Sequence, residues 1–497
     1  MRYVLALDQG TTSSRAILYD ATGAQVASAQ IEFPQLYPEP GQVEHRPEDI
    51  WRTQTEAAQA CLAQAGVDLK DVAAVGIANQ RETTLVWEAQ TGAPLHNAIV
   101  WQDRRTAPIC DELRAAGLGS EVARRTGLVL DPYFSGTKLV WLLRHLPDLR
   151  AKAERGEALF GTVDTYLLWR LTGGRVHATD PSNASRTMLY NLRQGDWDPV
   201  LLDAFGVPRP MLPEVRPSAG AFGESEADIL GRSLPITGIA GDQQAALFGQ
   251  MCLDPGQAKN TYGTGCFVLL NTGSDLVIPQ GGLLATVAWD LGQGPVYAIE
   301  GSVFIAGAAL QWLRDELGII GSAAESEELA ASVADSGGVY FVPAFVGLGA
   351  PYWDPYARGL LIGLTRGTSR AHIARAALEA ICFQSRDVLE AMASEAGLRL
   401  EVLRADGGAA QNDLLLQLQA DILGVPVERP ADTETTALGA AYLAGHAAGV
   451  WPRLEDLRAG RRVDRLFAPT TEEGTREARY REWGRAVRLA RGWAAPT

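Results

Sequence analysis

Two short segments, one in each half of the 497-residue chain, combine glycine and hydroxyl side chains in a way suited to phosphate. The first is Leu5-Ala6-Leu7-Asp8-Gln9-Gly10-Thr11-Thr12-Ser13-Ser14-Arg15, and the second is Asn260-Thr261-Tyr262-Gly263-Thr264-Gly265-Cys266-Phe267. Each reads as a strand, a tight glycine turn rich in hydroxyls and backbone N–H groups, and a second apolar strand. Glycine lacks the Cβ that would keep phosphate oxygens away from those N–H groups. Thr11, Thr12 and Ser13 are candidates for terminal phosphates, and Arg15 for the charge that accumulates during phosphoryl transfer. Thr264 would hold the phosphates from the opposite half. A third segment, Asp406-Gly407-Gly408-Ala409-Ala410-Gln411-Asn412, puts two glycines between a strand and a helix start, where a purine or ribose can lie flat against backbone. The chain has neither G-x-x-x-x-G-K-[ST] nor G-x-G-x-x-G, which excludes a P-loop and a Rossmann reading. Any one of these turns alone is more often just a turn. Together they suggest two lobes closing on one polyphosphate, in an ATP-using enzyme.

A kinase acting on an alcohol needs a carboxylate to accept the hydroxyl proton as the O–P bond forms. Asp242, in Gly241-Asp242-Gln243-Gln244 ahead of an apolar helix, is the candidate; a helix N-cap has the same local sequence. Arg81-Glu82, at the end of a buried strand, sets a donor beside an acceptor, as vicinal hydroxyls require; a structural ion pair is the plain alternative. Trp101-Gln102-Asp103-Arg104-Arg105 and Asp131-Pro132-Tyr133-Phe134-Ser135 bring aromatic and polar groups that can wall a small polar pocket.

The elements that must position these residues follow from pattern. Residues 1–35 read as successive strands with a turn at Asp20-Ala21-Thr22-Gly23, and Pro47 to about Ala65 as a helix burying Ile50, Ala57, Ala58 and Cys61. Val72 to Ala78 reads as a buried strand. Pro208 to Gly241 is rich in Pro, Gly and Ser and reads as loops and short strands. Ala306–Leu317, Ser369–Ala396 and Gln411–Leu423 are helical by spacing, with Leu400–Ala405 a strand. A Thr-Gly turn follows each hairpin (Thr22-Gly23, Thr272-Gly273), which suggests a duplicated lobe. The final helix, about Glu472 to Trp493, is read as solvated. This alternation denotes an α/β fold, and at about 100–200 residues per domain the chain divides in two, 1–248 and 249–497.

Composition narrows the class. Hydrophobic residues make up 46% and charged residues 21%, ordinary for a globular protein. A net charge of −15 argues against a nucleic-acid partner, while a local basic groove for a nucleotide remains compatible. Five scattered cysteines without C-x-x-C fit a reducing compartment and no structural zinc. The N-terminus lacks the pattern of a signal peptide, and no apolar run reaches the roughly 20 residues of a membrane span. A cytoplasmic protein is expected. Only Lys70, Lys138, Lys152 and Lys259 interrupt an otherwise all-arginine set of basic residues. Codon bias explains this, and Arg-for-Lys replacement is a weak sign of thermal adaptation.

Over essentially its whole length the chain resembles the FGGY family of carbohydrate kinases. The resemblance is carried by Ala6 to Arg15, Asn79-Gln80-Arg81-Glu82-Thr83, Asp131 to Lys138, Gly241 to Gln250, Asn260 to Phe267, and Gly347-Leu348-Gly349-Ala350-Pro351-Tyr352-Trp353. Arg81-Glu82 with Gly-Asp-Gln-Gln is similar to the glycerol-specific members; members acting on xylulose or gluconate differ at both places. The resemblance implies a two-lobed, actin-like (ribonuclease H-like) ATPase fold with duplicated domains, and phosphorylation of glycerol by ATP to sn-glycerol 3-phosphate. Residues 1–248 would form the glycerol-binding lobe and 249–497 the adenosine-binding one. Arg81, Glu82, Tyr133, Asp242 and Gln243 would bind glycerol hydroxyls, with Trp101 and Phe267 against its carbons and Asp242 as base. Thr11, Thr12, Ser13, Arg15, Thr264, Gly307, Gln311, Gly408 and Asn412 would hold ATP, and Asp8 would hold Mg²⁺ through water. A homo-oligomer, dimer or tetramer, is expected.

The departures from the family concern regulation. In some members a Gly- and Arg-rich loop binds fructose 1,6-bisphosphate. Here it reads Gly223-Glu224-Ser225-Glu226-Ala227-Asp228-Ile229-Leu230-Gly231-Arg232-Ser233, acidic and poor in glycine. No histidine lies between His177 and His372 to serve the phosphohistidine control of other members.

Overall fold

The computed structural model describes residues 2–495, which form two mixed sheets with helices packed on them. The first sheet is built on Tyr3–Gln9 (β1), Ser13–Asp20 (β2), Gln25–Glu32 (β3), Val72–Asn79 (β4) and Pro235–Gly241 (β5), with Ala219–Glu224 at its edge. β1, β2 and β3 form an antiparallel meander, and β4 and β5 add in parallel beyond β1. β1 and β4 are buried on both faces, which is why they read as continuous apolar runs.

The second sheet repeats this plan. Ala258–Tyr262 (β6), Cys266–Gly273 (β7) and Pro295–Val303 (β8) are antiparallel neighbours, and Leu403–Asp406 (β9) and Val427–Pro430 (β10) add in parallel beyond β6. The expected duplication is visible in this order. It is imperfect, because after Thr272-Gly273 the chain inserts an extra strand, Leu284–Asp290, before β8.

Helix Pro47–Ala65 (α1) has the expected bounds, with proline in its first turn and Gly66 in the left-handed conformation as its stop, matching both helix signals. It covers one face of the first sheet, with Leu5, Leu7, Leu18 and Ile77. The other face, carrying Val4, Ala6, Ile17 and Ala78, is covered by Asp242–Gly249 (α2) and by a helix far away in sequence, Thr435–Ala447. Close approach of that helix demands glycine. A Cβ on Gly76 would lie 2.2 Å from the Ala440 carbonyl oxygen, and one on Gly439 1.8 Å from that of Ala245.

Between β4 and β5 the chain makes a long excursion with its own core, including Ile99, Leu128, Phe134, Leu139 and Phe205. Ala285 and Val287 of the second sheet's edge join that core. Two expectations need correction. The Pro208–Gly241 stretch also contains a short helix, Ala227–Leu230. The final helix, Glu473–Ala490, is not simply solvated: Trp483, Ala486, Val487 and Ala490 are buried in the second lobe's core. Trp483 stacks on Phe383 at 5.3 Å and donates from Nε1 to Asp387. Its arginine-rich sequence masks one apolar stripe. Among the described residues no helix is long and apolar enough to cross a membrane.

Candidate active site

The first hairpin turns tightly, with Gly10 N–H donating to the Ser13 carbonyl at 2.9 Å. Thr11 and Ser13 are half-buried and Thr12 is exposed, while Ser14 is buried against the Thr53 hydroxyl at 2.8 Å. Thr11 Oγ1 accepts from Trp101 Nε1 at 3.0 Å, Ser13 Oγ accepts from Gln30, and Arg15 donates to Gln30 and pairs with Glu434. Asp8 lies opposite Arg15 across the β1–β2 ladder. Burial pushes the Asp8 carboxyl up to about 6; Arg15 opposes the rise and Asp242 adds to it.

The second hairpin is held differently. Gly263 N–H donates to the Gly265 carbonyl, and the Thr264 carbonyl accepts from Ala306 and Ala308 at the start of helix Gly307–Asp315. A Cβ on Gly265 would lie 2.4 Å from the Val303 carbonyl oxygen, and one on Gly307 2.6 Å from that of Gly263. Thr264 and Gln311 are exposed. Gly408 is exposed too, with nothing within 4 Å of where a Cβ would sit. Asn412 caps Asp413–Leu423 through its side-chain oxygen, so that helix starts two residues later than its pattern predicts, after a 3₁₀ turn over Gly408–Gln411.

Arg81 and Glu82 are buried, 3% and 1% exposed, and Glu82 has a left-handed backbone (φ 62°). Asp242 is the first residue of α2, and its N-cap is Gly241, so the N-cap alternative does not hold. Asp242 Oδ1 accepts from Gln243 N–H and lies 3.1 Å from Arg81 Nε, with the side chain 32% exposed. Tyr133 packs edge-on against Trp101 at 5.6 Å. Half-buried Phe267 stands on β7 opposite Thr261 and Ser302; among the described residues it makes no ring contact with Trp101 or Tyr133.

Arg81 and Glu82 are not simply each other's ion pair, since Arg81 Nε is 3.9 Å from Glu82 Oε1. Arg81 is gripped by Glu300 of β8, at 2.5 and 3.1 Å, and Glu82 accepts from Arg186 Nε at 2.7 Å. Arg186 Nη2 also reaches Glu300, at 3.0 Å. Burial alone would raise the Glu300 carboxyl, but Arg186 and Arg81 outweigh it and hold the group down at about 2. Gln243 accepts from Lys259 Nζ, which also donates to Thr261 at 2.8 Å.

Arg186, Glu300 and Lys259 do not stand out in the motifs, yet two of them leave a trace in the sequence. Glu300 interrupts the apolar run Val296-Tyr297-Ala298-Ile299, and Lys259 is one of four lysines in an arginine-rich chain. Lys138 of the Asp131–Lys138 stretch is fully buried, donates to the Tyr133 and Phe134 carbonyls, and is lowered by burial to about 7.

A glycine-turned hairpin in each lobe and a charged, buried polar site beside one of them are the kind of arrangement a small-molecule kinase needs. The model for the N-terminal domain of FGGY carbohydrate kinases matches residues 3–249, and that for the C-terminal domain matches 258–448. The chain belongs to the FGGY family of carbohydrate kinases. Within the family it is similar to the glycerol kinase of Symbiobacterium thermophilum, 60% identical over 99% of each chain. Glycerol kinase 2 of Thermotoga maritima is 58% identical over the same shares. Among solved structures, Plasmodium falciparum glycerol kinase with ADP superposes with a TM-score of 0.94 at 35% identity, covering 99% of this chain and 98% of that one. The two-lobed α/β architecture is therefore that of the family.

Proposed function

We propose that this kinase transfers the γ-phosphoryl group of ATP to a terminal hydroxyl of glycerol, giving sn-glycerol 3-phosphate and ADP. The observation that carries the reading is the Trp101–Thr11 hydrogen bond. It joins the wall of the polar site around Arg81, Glu82 and Asp242 directly to a phosphate turn. Similarity to glycerol kinases at 58–60% identity supports the choice of acceptor.

In this reading Arg81 donates to one glycerol hydroxyl and Glu82 and Tyr133 read its neighbour. Gln243 and Asp242 take the reacting end, and Trp101 and Phe267 face the carbons. Asp242 has one oxygen committed to Arg81 and Gln243, which leaves the other for the substrate. It accepts the hydroxyl proton as the alcohol oxygen bonds to the γ-phosphorus and the bond to the β-phosphate oxygen breaks. The N–H groups and hydroxyls of Thr11, Thr12, Ser13 and Thr264 hold the phosphates, with Arg15 leaving Glu434 to neutralise them. Gly307, Gln311, Gly408 and Asn412 hold the nucleoside.

Mg²⁺ fits the donor set. Asp8 and Asp242 share one field, and among the described residues no group of three or more His, Cys, Asp or Glu forms a cage. Mg²⁺ typically takes one or two carboxylates, phosphate oxygens and retained waters. When bound it would screen the charge of the phosphates; Asp8 is the residue that would hold it.

The reading extends to a cytoplasmic homo-oligomer, dimer or tetramer, with lobes 1–248 and 249–497 serving glycerol and adenosine. The test is coupled ADP release over glycerol, dihydroxyacetone, glyceraldehyde, erythritol, xylulose and gluconate. Glycerol should give the highest kcat/KM; release independent of any polyol would overturn the proposal.

A further inference from the structure

Two of the residues assigned to glycerol come from the first lobe, and each is held by a buried charged residue of the second. Arg81 is the clearer case. A guanidinium has five N–H donors in a rigid fork. Nε faces Asp242, Nη1 serves Glu300 and Gln244, and one Nη2 hydrogen serves Glu300. One Nη2 hydrogen is left, and the two-point grip of Glu300 fixes its direction. Arg186 closes the arrangement into a ring, reaching Glu82 with Nε and Glu300 with Nη2. Its Nη1 is buried without a partner. The four charges cancel, and all four side chains are at most 3% exposed. Gln243 repeats the theme, because Lys259 Nζ donates to its side-chain oxygen and so orients the amide.

We propose that Glu300 and Lys259, both carried by the second sheet, are positioning residues for the polyol site. They aim the remaining donor of Arg81 and the amide of Gln243, so that selectivity depends on how the second sheet seats against the first lobe. The inference rests on the reading of Arg81 and Gln243 as glycerol-binding residues. Charge-assisted, two-point contacts such as Arg81–Glu300 are the kind that convey direction as well as energy. Lys259, one of four lysines in the chain, supplies a compact ammonium that donates to both Gln243 and Thr261.

The test is a double-mutant cycle on glycerol kcat/KM with ADP affinity measured by calorimetry. Glu300→Gln keeps the shape but weakens the grip, and should raise glycerol KM roughly 10- to 100-fold, with ADP affinity changed less than about 2-fold. In an Arg81→Ala background the same change should cost less than about 3-fold, because the group it aims is gone. Preference for glycerol over 1,3-propanediol, which lacks the middle hydroxyl, should narrow in Glu300→Gln and recover in Glu300→Asp. Lys259→Met should raise glycerol KM, with little further effect once Gln243 is replaced by Ala. Equal losses in both Arg81 backgrounds, or a lowered Tm with unchanged preference, would overturn the proposal and leave Glu300 as a fold residue. If Arg81→Ala alone keeps wild-type efficiency, the glycerol reading of Arg81 fails instead. Should Glu300→Gln not fold, the Lys259→Met and Gln243→Ala pair carries a cycle of the same form on the second contact.

Discussion

The two glycine-turned hairpins occupy equivalent places in equivalent sheets, yet they are held by different means. The first is pinned by side chains: Gln30, Gln35, Trp101 and Glu434 all bond to it, while a Cβ on Gly10 would meet only the Ser13 carbonyl oxygen, at 3.1 Å. The second is pinned by backbone lying on backbone, at Gly265 against Val303 and Gly307 against Gly263. The difference matches a division of labour. At the hairpins the first lobe uses side chains, Asp8 and Arg15 among them, and the second uses backbone shape.

The largest effect that would sharpen this contrast is expected at Asp242. Asp242→Asn keeps the size but cannot take up the hydroxyl proton, so kcat in single turnover should fall at least about 100-fold, with ADP affinity nearly unchanged. Transfer within a few-fold of wild type would put the base elsewhere. Arg81→Ala should come next, reducing kcat/KM for glycerol roughly 10- to 150-fold through one lost charged partner, again without touching nucleotide affinity. The second lobe should respond in the opposite sense. Gly307→Ala forces a methyl against the Gly263 carbonyl and should weaken ADP binding by about tenfold or more, whereas Gly10→Ala should cost only a few-fold. Equal losses from the two would break the comparison.

A smaller effect concerns Asp8. Its carboxyl is pushed up to about 6, so between about pH 4 and 6 the folded state holds more protons than the unfolded one, and stability falls as pH rises through that window. Asp8→Asn should therefore raise Tm by about 1–3 °C at pH 7.5, and the gain should vanish near pH 4. No gain at pH 7.5 would mean that the charge is already compensated. The smallest effect is expected at Gly223–Ser233. There Glu226 pairs with Arg175, Glu224 accepts from Ser233, and Arg232 is the loop's single exposed cation. Millimolar fructose 1,6-bisphosphate should give no saturable inhibition in excess Mg²⁺; a saturable curve would show that the loop's acidity is irrelevant.

Local features of the fold were the legible ones. Both hairpins, α1 and the strand leading to Arg81-Glu82 are set by glycines, capping residues and apolar period within a few residues, and they stand where the pattern puts them. What pattern could not reach was partnership across the chain. Glu300 meets Arg81 219 positions away. The apolar stripe of the last helix is hidden by arginines, because only one face of a helix need be apolar to join a core. For Asp242, local sequence alone favoured a helix cap, and its position one residue inside the helix removes that reading.

The helix Thr435–Ala447, which covers the second face of the first sheet, also dictates an order of events during synthesis. The last strand of that sheet, β5, is complete at residue 241, but the helix that seals Val4, Ala6, Ile17 and Ala78 is made roughly 200 residues later. At about 5–20 residues per second, the nascent chain carries that apolar face with only α2 to cover part of it for tens of seconds. The earliest part of this protein to be made is thus among the last to be finished.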